Sequence, residues 1–507
     1  MTTPIRSEPI ATSAPGRPTT FTLTEATHKR IQQERDGAGD EWGVVKTFRD
    51  YAAGRHVLTL TANQQDVLRK LTSSDPGRTF ADNLCKVVLR AVSDRLAVER
   101  FTVEPVDDSE AAKSSAGAVA EYLAGVMTRN GGGSLQTKVH YAAIRDGNTA
   151  VSLRWDNARQ TVRVRPEPWW DGTSGTWVAY DADGEPEYAV RDWTTSEAVD
   201  VDGRFHYRDV QRRVVWWPDR IERYRKRGQG WEPSPLPGEP DTGIVPWVRP
   251  NTDQALHLPI IHFAANADDD HPYGVSDLAG GVLSLQDEIN DIQRSVTGAA
   301  RHAGFPMYFG SGIKQPKGTP DNPNPRLVIE VEPGMWVTVE NPDARAVVLP
   351  AGEIRPLIDA YDLKVRAICR MTSTPVHEIT GEWPSGEALL RAEIALVQRG
   401  ERLQDLFTGS WVTFAHRTTE LANAFERKTL DEAALIGCQW ASVDRRDPLS
   451  LANIQDARAT ALQKTETLRS PWGLREAGVP DDAAKAIEAL NGMDAMDGAG
   501  GVGGGTA

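Results

Sequence analysis

The chain has 507 residues, 39% hydrophobic and 25% charged, with a formal net charge of −14 from 57 basic and 71 acidic side chains. One hydrophobic core stops growing well before that length, so two to four compact units are expected. No apolar run approaches the roughly 20 residues that cross a bilayer, which excludes a membrane-spanning helical protein, and the acidic balance argues against a protein that grips nucleic acid over its whole surface.

The first stretch, MTTPIRSEPIATSAPGRPTT, has no apolar core segment and so lacks the anatomy of a secretory signal; residence in the cytoplasm where the chain is made is the expectation. Residues 1 to about 25 and 491–507 are poor in large apolar side chains and rich in Pro/Thr or Gly, and both read as mobile tails. From Ala81 to Met127 the pattern is helical, with Leu84, Val87, Val88, Ala91 and Leu96 in one series and Ala118, Tyr122 and Val126 in another, and the segment FTVEPV between them reads as a strand. From Thr149 to about Arg225 the period changes: TAVSLRW, QTVRVRP, PEYAVRDW, RRVVWWP and RIERYRK alternate with Asn, Asp and Gly turns, as in an antiparallel meander of an α+β domain. The pairs Trp169/Trp170 and Trp216/Trp217 fit core packing or subunit contact better than ligand stacking.

After a Pro-rich link at 233–250, Val275, Leu278, Val282, Leu285, Ile289, Ile292 and Val296 alternate spacings of three and four, which predicts one long helix with a narrow, seam-like apolar stripe. A Pro- and Gly-punctuated β region follows. A second helix is expected from about Glu353 to Met371, with Ile354, Leu357, Tyr361, Val365 and Ile368 on one face. It stops at TSTPVHEITGEWPSGE, where Pro375 and Pro384 forbid continuation and Ser385 is placed to cap what comes next. The third helix, about 386–427, carries Leu389, Leu396, Leu403, Phe407, Phe414 and Leu421 around Trp411, with Gly400 and Gly409 as bend points.

Chemistry-bearing patterns are incomplete. No segment has the spacing of a phosphate-cradling Walker loop, and GSGIKQPKGT lacks its order. His377-Glu378 begins like a zincin helix, but position 381 is Gly and the flanking prolines argue against a helix there. Asp268, Asp269 and Asp270, and the loop with Asp181, Asp183, Glu185 and Glu187, lack the ligand order of a calcium site and read as solvated acidic turns. Cys85, Cys369 and Cys438 form no metal or disulfide pattern and read as buried thiols. No catalytic residue, cofactor site or metal site is assigned, and an enzyme is not expected.

The order of elements, together with NLCKVVLRAVSDRLAVERF at 83–101, PYGVSDLAGGVLSLQDEINDI at 272–292 and TSTPVHEITGEWPSGEALLRAE at 372–393, resembles the portal proteins of tailed bacteriophages, in particular the head-to-tail connector family of phages of Gram-positive and actinobacterial hosts. The resemblance spans about residues 40–480. It implies an α+β portal fold assembled as a ring, twelvefold in copy number: a flexible tail at 1–40, a wing at 41–273, stem helices at 274–301 and 353–372 around a clip at 302–352, a tunnel loop at 373–386, a long wing/crown helix at 387–427, a crown at 428–490 and a Gly-rich tail at 491–507. It further implies a dodecameric virion component at one capsid vertex, assembled in the host cytoplasm, that passes double-stranded DNA during packaging and ejection. The implied partners are its own copies, the terminase large subunit, the major capsid and scaffold proteins and a head-tail adaptor, with no membrane.

By the same resemblance the DNA-facing tunnel loop is Val376, His377, Glu378, Ile379, Thr380, Gly381, Glu382 and Trp383. Lys364, Arg366 and Arg370 are candidates for the channel lining, and Lys314 and Lys317 for clip contacts. The residues agree in one respect: between Met371 and Glu387 there are three carboxylates and no Lys or Arg, so repeated copies would present a negative collar that limits adhesion to phosphate. A plain helix–helix turn remains open for that loop, and a solvated or salt-bridged face for the basic residues. A different ring-forming head-tail protein is the alternative function; a packaging motor would need the phosphate loop that is absent.

Overall fold

The computed structural model describes residues 25–37, 42–56, 82–201, 204–228, 230–252, 254–267, 272–304, 307–311, 343, 345–349, 353–381, 386–426 and 428–444. The chain divides into two units, Met1–Ala441 and Ser442–Ala507, and all the described helices and strands lie in the first. Its architecture is α+β, with helices and antiparallel strands in separate stretches of chain.

Helices α1 (Glu25–Gly37) and α2 (Trp42–Ala52) precede α3 (Leu84–Ser93). Asn83 caps α3 by accepting from the Lys86 amide, and the helix buries Leu84, Cys85, Val88, Leu89 and Val92. Strand β1 (Val98–Glu104) then leads to α4 (Glu110–Arg129), capped by Ser109, and to α5 (Gly132–Asp146), which the sequence patterns did not reveal. The predicted meander forms as two sheets. β2 (Asn148–Asp156) lies between β3 (Thr161–Glu167) and β10 (Ile260–Ala264). The larger sheet runs β4 (Gly175–Tyr180), β5 (Pro186–Val201), β6 (Arg204–Trp216), β7 (Arg220–Arg227) and β8 (Gly230–Pro233), with β9 (Ile244–Pro246) also on β7. Beyond Trp193, β5 pairs only with β6, so this hairpin continues as a two-stranded ribbon of roughly 25 Å. Trp169, Trp170 and Trp216 are buried among these strands, Trp169 stacking on His262 at 4.6 Å, so they pack the core.

Helices α6 (Val282–Gly304) and α7 (Arg355–Met371) pack against each other, and between them β11 (Met307–Ser311) pairs antiparallel with β12 (Arg345–Leu349). Residues 312–342, with Lys314 and Lys317, lie outside the described residues. A short α8 (Val376–Thr380) leads toward α9 (Gly386–Leu421), 36 residues and roughly 54 Å long, ending in a π-helical turn at Ala422–Glu426. Gly400 and Gly409 do not interrupt α9. Its predicted stripe is the core of the unit: Leu396, Leu403, Phe407, Trp411, Phe414 and Leu421 are buried, with Trp411 edge-on to Phe263 at 5.1 Å.

Three expectations need correction. The first long helix begins at Val282, where a stem helix from 274 was expected, because 272–281 is spent on contacts to the end of α5 and to strands β2 and β4. The Pro-bounded segment contains a helical turn, since Pro375 serves as the extended residue before α8 instead of preventing it. The region assigned to a crown from 428 onward begins with β13 (Leu435–Trp440), which pairs along β1 from Val98↔Trp440 to Glu104↔Leu435 and so belongs with the α3–β1 layer. Residues 445–490, the rest of the stretch expected to form a crown, lie outside the described residues.

Candidate functional site at the root of the helix pair

The segment that launches α6 is fixed by backbone proximity. Gly147, at φ +82° after α5, and Gly274 face each other so closely that a Cβ on Gly274 would sit 2.2 Å from the Ala265 carbonyl oxygen and 2.4 Å from that of Gly147. Asn148 closes the contact from its side chain, accepting from the Gly274 amide at 2.7 Å and donating to the Gly274 carbonyl at 2.9 Å. Tyr273 donates to the Val178 carbonyl and Ser276 to that of Arg145, so PYGVS is an anchor.

From this anchor α6 reaches α3. Gln286 donates from Nε2 to the Asp82 carbonyl at 2.6 Å, while its Oε1 accepts from the Leu84 amide at 3.0 Å and the Cys85 amide at 3.3 Å. A side chain of α6 thus satisfies amides that the first turn of α3 leaves without helical partners. Tyr361 of α7 and Gln293 of α6 both donate to Asp82 Oδ2. Leu84, Val88, Ile289, Val365, Ile368 and Cys369 form one apolar cluster, with Leu285, Tyr361 and Ile379 packed on it.

After α7 the chain reverses through Thr372–Thr374, with Ser373 at φ +51°. Two arginines hold this reversal. Arg399 of α9 binds the Thr372 carbonyl and Asp277. Arg95, buried after α3, donates from Nη2 to Glu378 of α8 at 2.8 Å and to Glu393 of α9 at 3.3 Å. His377 is buried with Nε2 at 3.5 Å from Glu393. His377, Glu378 and Glu393 bring possible ligand atoms within 4.8 Å of one another, but the Arg95 guanidinium already stands where a cation would neutralise the carboxylates. The three sequence stretches at 83–101, 272–292 and 372–393 therefore meet around α3, through Gln286 on one side and Arg95 on the other.

Of the tunnel-loop candidates, Val376 is exposed, His377 is buried, Glu378 is engaged by Arg95, and Ile379 packs on the apolar cluster. Thr380 donates to the Val376 carbonyl, and Gly381, at φ +73°, closes α8 by donating to His377. Glu382 and Trp383 lie outside the described residues. The candidate lining residues differ from one another: Lys364 forms an ion pair with Glu288 of α6, whereas Arg366 and Arg370 lie on the exposed side of α7 beside Leu363, opposite Val365 and Ile368. Arg95, Gln286 and Arg399 were not singled out in the sequence; their partners lie far along the chain and no local pattern marks them.

The titratable groups here are built to stay put. Burial pushes the Cys369 thiol up to about 11 and the Cys85 thiol up to about 12, so neither is an activated thiolate nucleophile. Behind the site, His140 is held in one tautomer: indole Nε1 of Trp411 only donates, at 3.0 Å to His140 Nε2, so the proton sits on Nδ1 and is donated to the Leu96 carbonyl at 3.2 Å. The acidic loop after β4 is a turn in which Asp181 accepts from the Asp183 and Glu185 amides. Among the described residues no helix is long and apolar enough to cross a membrane.

No protein-family model and no curated protein sequence matches the chain. Among solved structures it is similar to a chain of the virion of a native gene transfer agent particle, at 14% identity and a TM-score of 0.40, over 86% of this chain and 99% of that one. It is similar also to chains of the neck of the empty particle computed with C6 symmetry and of the native particle computed with C12 symmetry, each at 13% identity and a TM-score of 0.39, over 84% of this chain and 96% of the other.

Proposed function

We propose that the protein is a portal subunit of a tailed bacteriophage: a ring-forming structural protein at one capsid vertex, through whose channel double-stranded DNA is packaged and ejected. The observation that carries the reading is the rooted helix pair. α6 and α7 leave an α+β unit side by side, are bridged at the far end by β11 and β12, and return to a clamped reversal that feeds the long α9. Such a pair is a two-helix post with an insertion at its tip, a form suited to a stave in a channel wall.

The surface chemistry supports the same reading. A conduit must let DNA slide, and each phosphate neutralised by Lys or Arg adds counterion-release affinity that resists movement. The chain is net acidic, its Lys364 is already paired with Glu288, and the exposed face of α7 mixes Arg366 and Arg370 with Asp359 and Asp362. Exposed apolar side chains then have a use. Leu363, Met371 and Val376 on the pair and reversal, and Ile394 on α9, are available to the next copy in a head-to-tail interface, the type that closes a ring.

On this reading the terminase large subunit and later a head-tail adaptor dock at the clip, and capsid and scaffold proteins surround the wing. Native mass spectrometry of the purified full chain tests the reading. The expected result is a single closed oligomer of about twelve copies; a 55.6 kDa monomer at all concentrations would overturn it.

A further inference from the structure

A second site lies away from the helix pair, between α1 and the large sheet, where a half-open cavity of about 270 Å³ is built around one carboxylate and two arginines. Asp192 of β5 accepts two bonds from Arg213 of β6, both at 2.7 Å, and one from Arg35 of α1 at 2.5 Å. Both guanidinium groups are almost fully buried and each lies over an indole, Arg35 over Trp170 at 3.7 Å and Arg213 over Trp231 at 4.3 Å. The charged groups are thus fixed from behind before anything binds.

The donors are not all spent. Arg35 uses Nε on Asp36 and Nη1 on Asp192, which leaves Nη2 without a hydrogen bond among the described residues. Lys226, exposed on β7 and lining the same cavity, has no acidic partner among them. Three cationic side chains, Arg35, Arg213 and Lys226, face two anionic ones, Asp36 and Asp192, so the cavity carries a surplus of one positive charge. Trp193 and Trp231 are among its lining residues. The volume sits at or below the small end of ligand pockets, which favours a small molecule over a polymer segment.

We propose that this cavity binds a small planar ring bearing one anionic group, the anion received by Arg35 Nη2 and Lys226 and the ring lying against the indoles. A nucleoside monophosphate and an aromatic carboxylate share that chemistry. The site is independent of the portal reading, since it uses no residue of the helix pair.

Tryptophan-fluorescence titrations of the full chain with adenosine 5′-monophosphate, benzoate, inorganic phosphate, adenosine and benzamide decide it. Saturable quenching by the nucleotide or by benzoate, with the uncharged counterpart at least about tenfold weaker, supports the site, and the tighter of the two names the source of the anion. Lys226→Gln, a surface change that leaves the core intact, is expected to weaken that binding about tenfold. Equal binding of charged and uncharged rings, inorganic phosphate binding as tightly as either ring, no saturation at millimolar ligand, or no effect of Lys226→Gln would each overturn the proposal.

Discussion

Arg95 carries the most structural consequence of any single side chain at the reversal, because one buried guanidinium holds both the turn and the start of the long helix through Glu378 and Glu393. Removing one partner of a buried ion pair leaves uncompensated charge, so Arg95→Met is expected to lower stability by about 3 kcal/mol. Arg95→Lys should recover part of the loss, since an ammonium keeps the charge but not the fork that meets two carboxylates; urea denaturation of the three proteins checks both. Gly274→Ala should cost about 3 kcal/mol or more, as its Cβ would collide with two carbonyl oxygens of fixed backbone. His140 sets a pH dependence. Burial lowers its pKa from 6.5 to about 4, so its neutral form is favoured in the fold: the contribution is fully present above pH 6.5 and lost as pH falls from there towards 4, on the order of 3 kcal/mol in all. His28, lowered to about 4, and His262, lowered to about 3, act in the same direction. Denaturation midpoints should therefore fall below pH 6.5, and less steeply in His140→Gln; a midpoint flat from pH 7.5 to 5 would contradict this. None of these roles was legible in the sequence. Arg95 meets carboxylates 283 and 298 positions away, and no local pattern encodes such a separation.

At the scale of elements, periodicity did most of the work where an element packs by one face. The stripe of α9, the seam of α6 from Val282 onward and the face of α7 with Val365 and Ile368 were all readable, because burial at spacings of three and four leaves a direct trace in sequence. It failed where local pattern and tertiary role diverge. Val275 and Leu278 continue the helical spacing, yet 272–281 is held to Asn148 of β2, Val178 of β4 and Arg145 of α5, and Val275 is exposed. Strand β13 was missed because LIGCQW is short and its partner β1 lies more than 300 residues earlier. Helix α5 was missed because Gly131, Gly132 and Gly133 open it and its apolar spacing is diluted by Gln136 and His140, both buried through hydrogen bonds. The joint between α6 and α3 gives a prediction of its own. Gln286→Ala removes the acceptor for the Leu84 and Cys85 amides, so stability should fall by about 1–3 kcal/mol and those two amides should exchange with solvent faster than their neighbours. Unchanged protection at both would rule the joint out.

For the whole molecule, the sequence stretches that resemble portal proteins turn out to be the contacts that root the helix pair, which explains why they read as patterns of helix and loop and not as catalytic signatures. The same geometry refines the negative collar expected at the reversal. Glu378 is neutralised within its own chain by Arg95 and His377 is buried, so of the described loop residues Val376, Thr380 and Gly381 are left to face outward, and the collar would depend on Glu382 and Glu387. On the proposed reading, guidance of DNA would rest on low adhesion, with Arg366 and Arg370 exposed on α7. Electron cryomicroscopy of the purified full chain is the most direct measurement. The account predicts closed rings whose central channel admits duplex DNA, with α6 and α7 in the channel wall and the reversal at Ser373–Gly381 at its inner edge. Particles without a channel, or rings in which the helix pair faces away from the axis, would contradict it.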